Sequence, residues 1–186
     1  MSPSPSAPRT SVELVRHAHA ASRDQWWGRP DRDRPLTTKG RDQAKALGEL
    51  LEDIGEVAGI WSSPTVRCVD TMVPLAGAVG REVEEADTLA EAHGVPVLDG
   101  GDAWVTAAWL GGRALGTLDA LVARFPGQRL VLCSHGDVIP ALLACLAGRD
   151  GLDLTDVRCA KGGRFSLTFM EGRCVAAVPH GPPTTG

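Results

Sequence analysis

The sequence predicts an α/β sandwich of three layers, with helices on both faces of a mostly parallel central sheet. Three observations carry this. Short apolar runs suited to buried strands, at 12–15, 58–62 and 130–133, alternate with longer stretches whose apolar residues recur at helical spacing. Each run gives way to polar residues: Arg16-His17, Ser62-Ser63-Pro64 and Ser134-His135-Gly136. The chain then closes on two apolar segments around Glu171-Gly172, the pattern of a terminal hairpin. With 186 residues and 43% hydrophobic content, a single domain with a real core is expected over 11–180. A Ser/Pro-rich tail over 1–10 and a Pro/Gly/Thr-rich tail over 181–186 flank it.

In order along the chain, Val12, Leu14 and Val15 mark a buried strand that ends at Arg16 and His17. Thr37 or Thr38 caps a helix carrying Ala44, Leu47, Leu50, Leu51 and Ile54 on one face. Gly55 and Gly59 frame its exit, 58–62 is a second strand, and Pro64 opens a helix at its first turn with Arg67 just inside. A third strand is expected over 81–86. An irregular stretch follows over 87–101, rich in turn formers at Gly94, Pro96 and Gly100-Gly101, and is read as an active-site loop. Residues 102–125 are helical by the stripe Leu118, Leu121, Val122 and Phe125, with a break or kink expected at Gly111-Gly112. Pro126-Gly127 stops that helix. After the strand at 130–133, a helix runs from about 137 to 147, and 165–170 and 174–178 form the hairpin.

Composition excludes several classes. A formal charge of −4 does not suit a nucleic-acid binder, so any positive site must be local. Five scattered cysteines without a CxxC pair read as reduced thiols of a cytoplasmic protein. The amino-terminal segment lacks an apolar stretch, so neither a signal peptide nor a membrane partner is expected.

In open α/β sheets ligands bind outside the carboxyl ends of the strands, where this sequence puts Arg16, His17 and His135. Taken alone, His17 could be a nucleophile, a base or a metal ligand. His17-x-His19 has no HExxH helix and no convincing partner ligands, so no metal and no other cofactor is expected. Phosphoryl transfer suits the residues better. Charge spreads over the oxygens of a transferring phosphoryl group, which favours forked arginines around it and a neutral imidazole as nucleophile.

Val15-Arg16-His17-Ala18-His19-Ala20, the Ser62-Ser63-Pro64 turn with Arg67, and Ser134-His135-Gly136 together resemble the histidine phosphatase, or phosphoglycerate mutase-like, superfamily. The resemblance runs from Val12 to Val178 and implies the phosphoglycerate mutase-like fold. With Arg34-Pro35-Leu36-Thr37-Thr38-Lys39-Gly40, the first motif looks most like the short SixA-type phosphohistidine phosphatases. Asp70-Thr71-Met72, Val138-Ile139-Pro140 and Lys161-Gly162-Gly163 are similar to the phosphatase half of actinobacterial MutT-type Nudix fusions, although these 186 residues carry no Nudix domain.

The resemblance implies a metal-independent phosphatase in which His17 is transiently phosphorylated, Arg16, Arg67 and His135 hold the phosphoryl group, and an acid protonates the leaving group. Glu91 aligns loosely with that acid, the alternative being a solvated loop glutamate. The chain departs from the family pattern at Ala18, where glycine is usual, and at His19 and Ala20, where an acidic or amide residue and Ser/Thr are usual. His19 and Lys161 are taken as pocket neighbours; His93 and His180 line the rim or face solvent. Trp26 and Trp27, among Arg23, Arg29, Arg32 and Arg34, form an aromatic and basic loop suited to a nucleotide, or else a packed lid. Trp104 and Trp109 read as core or lid. The expected substrate is a small phosphorylated molecule: a nucleotide, a sugar phosphate or a phosphohistidine protein. The competing readings are a phosphate-binding regulatory protein without turnover and a phosphoglycerate mutase.

Overall fold

A computed structural model describes residues 8–92 and 103–184. The strands are β1 (Arg9–Arg16), β2 (Gly59–Ser62), β3 (Val83–Glu85), β4 (Arg129–Ser134), β5 (Arg164–Met170) and β6 (Arg173–His180). Between them lie α1 (Thr38–Asp53), α2 (Val66–Val79), α3 (Ala103–Arg124) and α4 (Val138–Asp150). The sheet order is β3-β2-β4-β1-β5-β6, with the first four strands parallel and the terminal hairpin antiparallel. Alternation along the strands separates two cores, because successive side chains point to opposite faces. Val12, Leu14, Trp61, Leu130 and Leu132 pack with α3 and α4, whereas Val15, Ile60 and Val131 pack with Leu47, Leu51, Met72 and Leu75 of α1 and α2. This is the predicted three-layer sandwich with a mostly parallel sheet.

Register positions the site. Arg16 lies opposite Ser134 and Ser62 opposite Cys133, so the three strand ends marked by polar residues open on the same rim. Thr37 is the cap of α1, its hydroxyl accepting from the Gly40 amide at 3.1 Å. Thr65 rather than Pro64 precedes the first helical residue of α2. Ile54 does not join the buried stripe: α1 ends at Asp53, and Ile54 is 48% exposed while Gln43 and Gly48 complete the covered face. β1 starts at Arg9, inside the segment assigned to the tail, because Thr10 pairs with Phe169 and its hydroxyl accepts from Gly127 N at 2.9 Å.

The expected break at Gly111-Gly112 is absent, and α3 runs through both. A Cβ on Gly111 would stand 2.6 Å from the Ala141 carbonyl oxygen and 2.7 Å from Cys145 Sγ. The glycine therefore lets α3 approach α4 closely, and that packing outweighs the roughly 1 kcal/mol cost of glycine in a helix.

β1 also buries a charge. Glu13, 5% exposed, accepts from Arg164 Nε and Ser166 Oγ, both at 2.8 Å. Removing Arg164 alone would leave the buried carboxylate only the more distant Arg129, 4.0 Å away, the costly way to break such a pair. All five cysteines are free. No helix among the described residues is long and apolar enough to cross a membrane.

Candidate active site

Arg16 and His17 are placed by the last rung of the sheet. His17 N donates to Ser134 O and Arg16 N to Gly163 O, each at 3.0 Å, while Gly162 N reaches the Arg16 and His17 carbonyls. His17 is 4% exposed, and its Nδ1 lies 2.7 Å from the Ala18 carbonyl oxygen. A carbonyl can only accept, so Nδ1 carries the proton and Nε2 keeps its lone pair. Burial, the dominant influence, lowers the His17 pKa to about 4; the neighbouring His135 and Arg67 push the same way. The ring is therefore neutral at physiological pH, as an attacking imidazole requires.

Arg16 donates from Nη1 to Cys159 O at 2.7 Å, and its guanidinium passes close over Gly136. A Cβ there would stand 2.5 Å from Arg16 Cζ. Gly136→Ala is thus expected to displace Arg16 and to lower kcat/KM by about 10²-fold, the scale of an ångström-sized misplacement, with little change in thermal stability. Wild-type kinetics in the alanine variant would show that Arg16 is not held by this contact.

Arg67, fully buried at the start of α2, anchors the other side. Its Nη1 donates to Asp31 O at 2.8 Å, and its Nη2 meets Asp31 Oδ2 at 3.0 Å and Glu91 Oε2 at 2.6 Å. His135, also fully buried, lies edge-on to His17 with ring centroids 5.3 Å apart. Its Nε2 is 2.8 Å from Ser63 Oγ and its Nδ1 3.3 Å from Glu91 Oε1. Burial pushes the His135 pKa down, but the Cys68 sulfur, 3.5 Å from its ring, and the Glu91 carboxylate push it up to about 9. Burial pushes Glu91 up, yet His135 and Arg67 prevail and hold it at about 2. With these partners Glu91 is ionised, the wrong state for a proton donor.

The four residues predicted to handle the phosphoryl group are therefore neighbours, with Glu91 among them. Like Nε and Nη2 of Arg129 at the far end of β4, the Nε–H groups of Arg16 and Arg67 are buried without a hydrogen-bond partner among the described residues. A cavity of about 480 Å³ lined by Arg16, Arg23, Asp31, Glu91, Ala92, Gly136 and Asp137 opens on them. One atom each of His17, Glu91 and His135 lie within 4.8 Å of one another, a spacing that could hold a cation. With Arg67 on that carboxylate and His135 protonated, the charge of the cluster suits an anion better.

The remaining predicted residues lie further out. His19 is tied to the start of α1, its Nδ1 2.9 Å from Thr37 Oγ1 and its amide donating to Gln43 Oε1. Lys161 is half-buried; burial first, then Arg16 and Arg34, lowers its pKa. Trp26 donates to Pro30 O and stacks under Arg29, whereas Trp27 is 88% exposed. Trp104 is 66% exposed rather than a core residue, while Trp109 packs on the core beneath Arg113. His180 bonds to Ser166 on the hairpin, away from these groups. His93 and the turn formers from Gly94 to Gly101 lie outside the described residues.

Sequence reasoning passed over Asp31 and Cys68, and it quoted Ser63 and Thr71 within motifs without giving them a role. Thr71 Oγ1 accepts from the Ala18 amide at 3.0 Å and donates to Arg67 O, fastening the segment after His17 to α2. Asp31 stands in the alternating run Asp31-Arg32-Asp33-Arg34, of which only the arginines were singled out, as part of the aromatic and basic loop. The signal that could have found it is the demand of a buried arginine for an acidic partner.

The sequence pattern of the histidine phosphatase superfamily, branch 1, matches residues 12–98 and 105–179. The chain belongs to this superfamily. It is 31% identical over 174 residues to an 8-oxo-(d)GTP phosphatase of Mycolicibacterium smegmatis, covering 93% of this chain and 48% of the relative. The chain thus spans about half the length of that protein. Among solved structures, Bacillus stearothermophilus YhfR superposes with a TM-score of 0.74 at 19% identity, over 95% of this chain and 98% of its own. The protein histidine phosphatase SixA, complexed with tungstate, gives 0.67 at 20% identity over 92% and 97%. A Bacillus anthracis phosphoglycerate mutase gives 0.68 at 16% identity over 92% and 93%, in keeping with the predicted phosphoglycerate mutase-like fold. At these identities the structural likenesses speak for the fold of a histidine phosphatase and not for its substrate.

Proposed function

We propose that this histidine phosphatase removes a phosphoryl group from a small phosphorylated substrate through a covalent intermediate on His17. The observation that carries the reading is the buried, neutral His17, with Nδ1 donating to Ala18 O and Nε2 left free beside the donors Arg16, Arg67 and His135. In the first step Nε2 forms a bond to phosphorus as the P–O bond to the leaving group breaks, with Glu91 giving that oxygen a proton. In the second, water attacks phosphorus, the P–N bond breaks, the water's proton passes to Glu91, and phosphate departs. The guanidinium and imidazolium groups hold the equatorial oxygens throughout, where preorganised charge stabilises the transition state most. No step needs a metal ion. Hydrolysis without added metal, screened over nucleotides, sugar phosphates and phosphohistidine peptides, tests the reading; failure on all three classes would overturn it.

Nucleotides are the first class to test. The 8-oxo-(d)GTP phosphatase relative and the exposed Trp27 beside Arg23 and Arg29 both favour a substrate with a base and several phosphates. Replacing Trp26 and Trp27 together by alanine is expected to raise KM for nucleotides at least several-fold more than for p-nitrophenyl phosphate. Equal effects would make the pair a structural lid.

The acid role has its own signature. A general acid contributes about 10²- to 10⁴-fold, mostly where the leaving group is a poor one. Glu91→Gln is therefore expected to slow alkyl phosphates by about that factor and to spare p-nitrophenyl phosphate, whose phenolate leaves unaided. A uniform loss would remove Glu91 from the acid role. Ready cleavage of phosphohistidine peptides with almost none of alkyl phosphates would make it a bystander and favour a SixA-like specificity.

A further inference from the structure

The least expected feature of the site is what fills it. Glu91 is not waiting at the mouth of the cavity for a leaving group; its two oxygens take up the donors that a phosphoryl group would use. Oε2 is 2.6 Å from Arg67 Nη2 and Oε1 is 3.3 Å from His135 Nδ1, and one carboxylate oxygen lies within 4.8 Å of a His17 ring nitrogen. A planar carboxylate accepting from a guanidinium and paired with an imidazolium, close to the His17 ring, imitates two of the three equatorial oxygens of a bound phosphoryl group.

We propose that Glu91 is a competing anion for the phosphoryl cradle: substrate must expel its carboxylate, and the expulsion converts the same side chain into the proton donor. The inference rests on the reading of Arg16, Arg67 and His135 as phosphoryl holders. Two features of the fold allow the exchange. Glu91 comes two residues after the 3-10 turn Asp87–Leu89, and among the described residues of that segment Leu89 is the last that is fully buried. Glu91 also lines both the 480 Å³ cavity and a second one of about 320 Å³ bounded by Arg32, Pro64, Thr65, Asp87, Ala90 and Arg113, which offers its side chain a place to go.

The charges facing Glu91 set the sign. From α2 comes Arg67, from just past β4 His135, from the end of β1 Arg16 with His17 just beyond it, from the loop before α1 Arg23 and Asp31, and from the start of α4 Asp137, across the cavity. On the second cavity the charged neighbours are Arg32, Asp87 and Arg113. Paired with Arg67 and His135, the carboxylate is held at about 2. A tetrahedral dianion in its place takes away both partners and adds a repelling neighbour, so the Glu91 pKa rises on binding. A group whose pKa is higher in the complex takes up a proton on binding, so anion affinity increases as pH falls. The acid is thereby armed only when there is a phosphoryl group to transfer.

The test uses sulfate, a tetrahedral dianion that does not titrate between pH 5 and 7, with affinity measured by calorimetry on the full chain. Glu91→Gln and Glu91→Ala, each checked for an unchanged melting temperature, are expected to bind sulfate at least tenfold more tightly than wild type at pH 7. Wild-type affinity is expected to rise from pH 7 to pH 5 more steeply than that of either variant, which retain any contribution of His17. Equal or weaker sulfate binding by both variants, or identical pH slopes, would overturn the inference. Because sulfate binding needs no turnover, that failure is distinct from failure of the phosphatase reading, which the substrate screen decides. If no form binds sulfate, the cradle itself is misread and the inference falls with it.

Discussion

His17→Ala is expected to bring hydrolysis of every substrate to background, a loss on the order of 10⁶-fold, the scale seen when a covalent nucleophile is removed. The loss should be as large for p-nitrophenyl phosphate as for alkyl phosphates, because the nucleophile is needed whatever the leaving group. Rapid quenching of wild type with radiolabelled substrate should trap a label that survives base and is lost in acid, and the alanine variant should trap none. The physical ground is the tautomer: with Nδ1 committed to the Ala18 carbonyl and the pKa lowered to about 4 by burial, Nε2 is a lone pair held in place. An alanine variant that turns over aryl phosphate at the wild-type rate would contradict the mechanism at its centre.

Arg67→Met should cost both stability and rate. Arg67 is fully buried against Asp31 and Glu91, so its removal leaves two carboxylates facing one another without the cation between them. Breaking a buried pair from one side costs about 3–5 kcal/mol; because Asp31 and Glu91 retain some access to water, the low end is expected. At about 2–4 °C per kcal/mol for a chain of this size, the melting temperature should fall by roughly 6–12 °C. Turnover should fall by about 10³-fold or more through loss of a positioned cation on the phosphoryl oxygens. Arg67→Lys separates the two effects. A lysine restores a positive charge and part of the stability but cannot make the forked contact, so its rate should stay low. Near-wild-type turnover in the lysine variant would show that charge alone suffices.

Much of the architecture was legible because local rules and tertiary packing agree over most of this chain. Val12, Leu14 and Val15 are apolar because both faces of β1 are covered, and Thr37 precedes α1 because a helix start needs an acceptor. Where reading and structure part, a contact distant in sequence is responsible. The kink expected at Gly111-Gly112 supposed that glycines weaken a helix; here Gly111 is the point where α4 touches α3. Ile54 matches the period of its helix, but the helix ends before it. Glu13, the one acidic residue in an apolar run, gives no local hint that Arg164, 151 positions away, stands beside it.

The sequence by itself determined the alternation of strands and helices and put Arg16, His17 and His135 at strand ends, since periodicity and the places where apolar runs stop are properties of neighbouring residues. It also carried the three motifs on which the resemblance to the histidine phosphatase superfamily was read, a family whose pattern matches residues 12–98 and 105–179. Only the tertiary structure decided the charge state of the site. Whether His17 is neutral, His135 cationic or Glu91 ionised depends on burial and on partners 24 to 118 positions apart in the chain, brought within a few ångströms by the parallel register of β1, β2 and β4. Coulomb energy falls with distance in space and rises as water is excluded, and neither quantity is written in a linear order of residues.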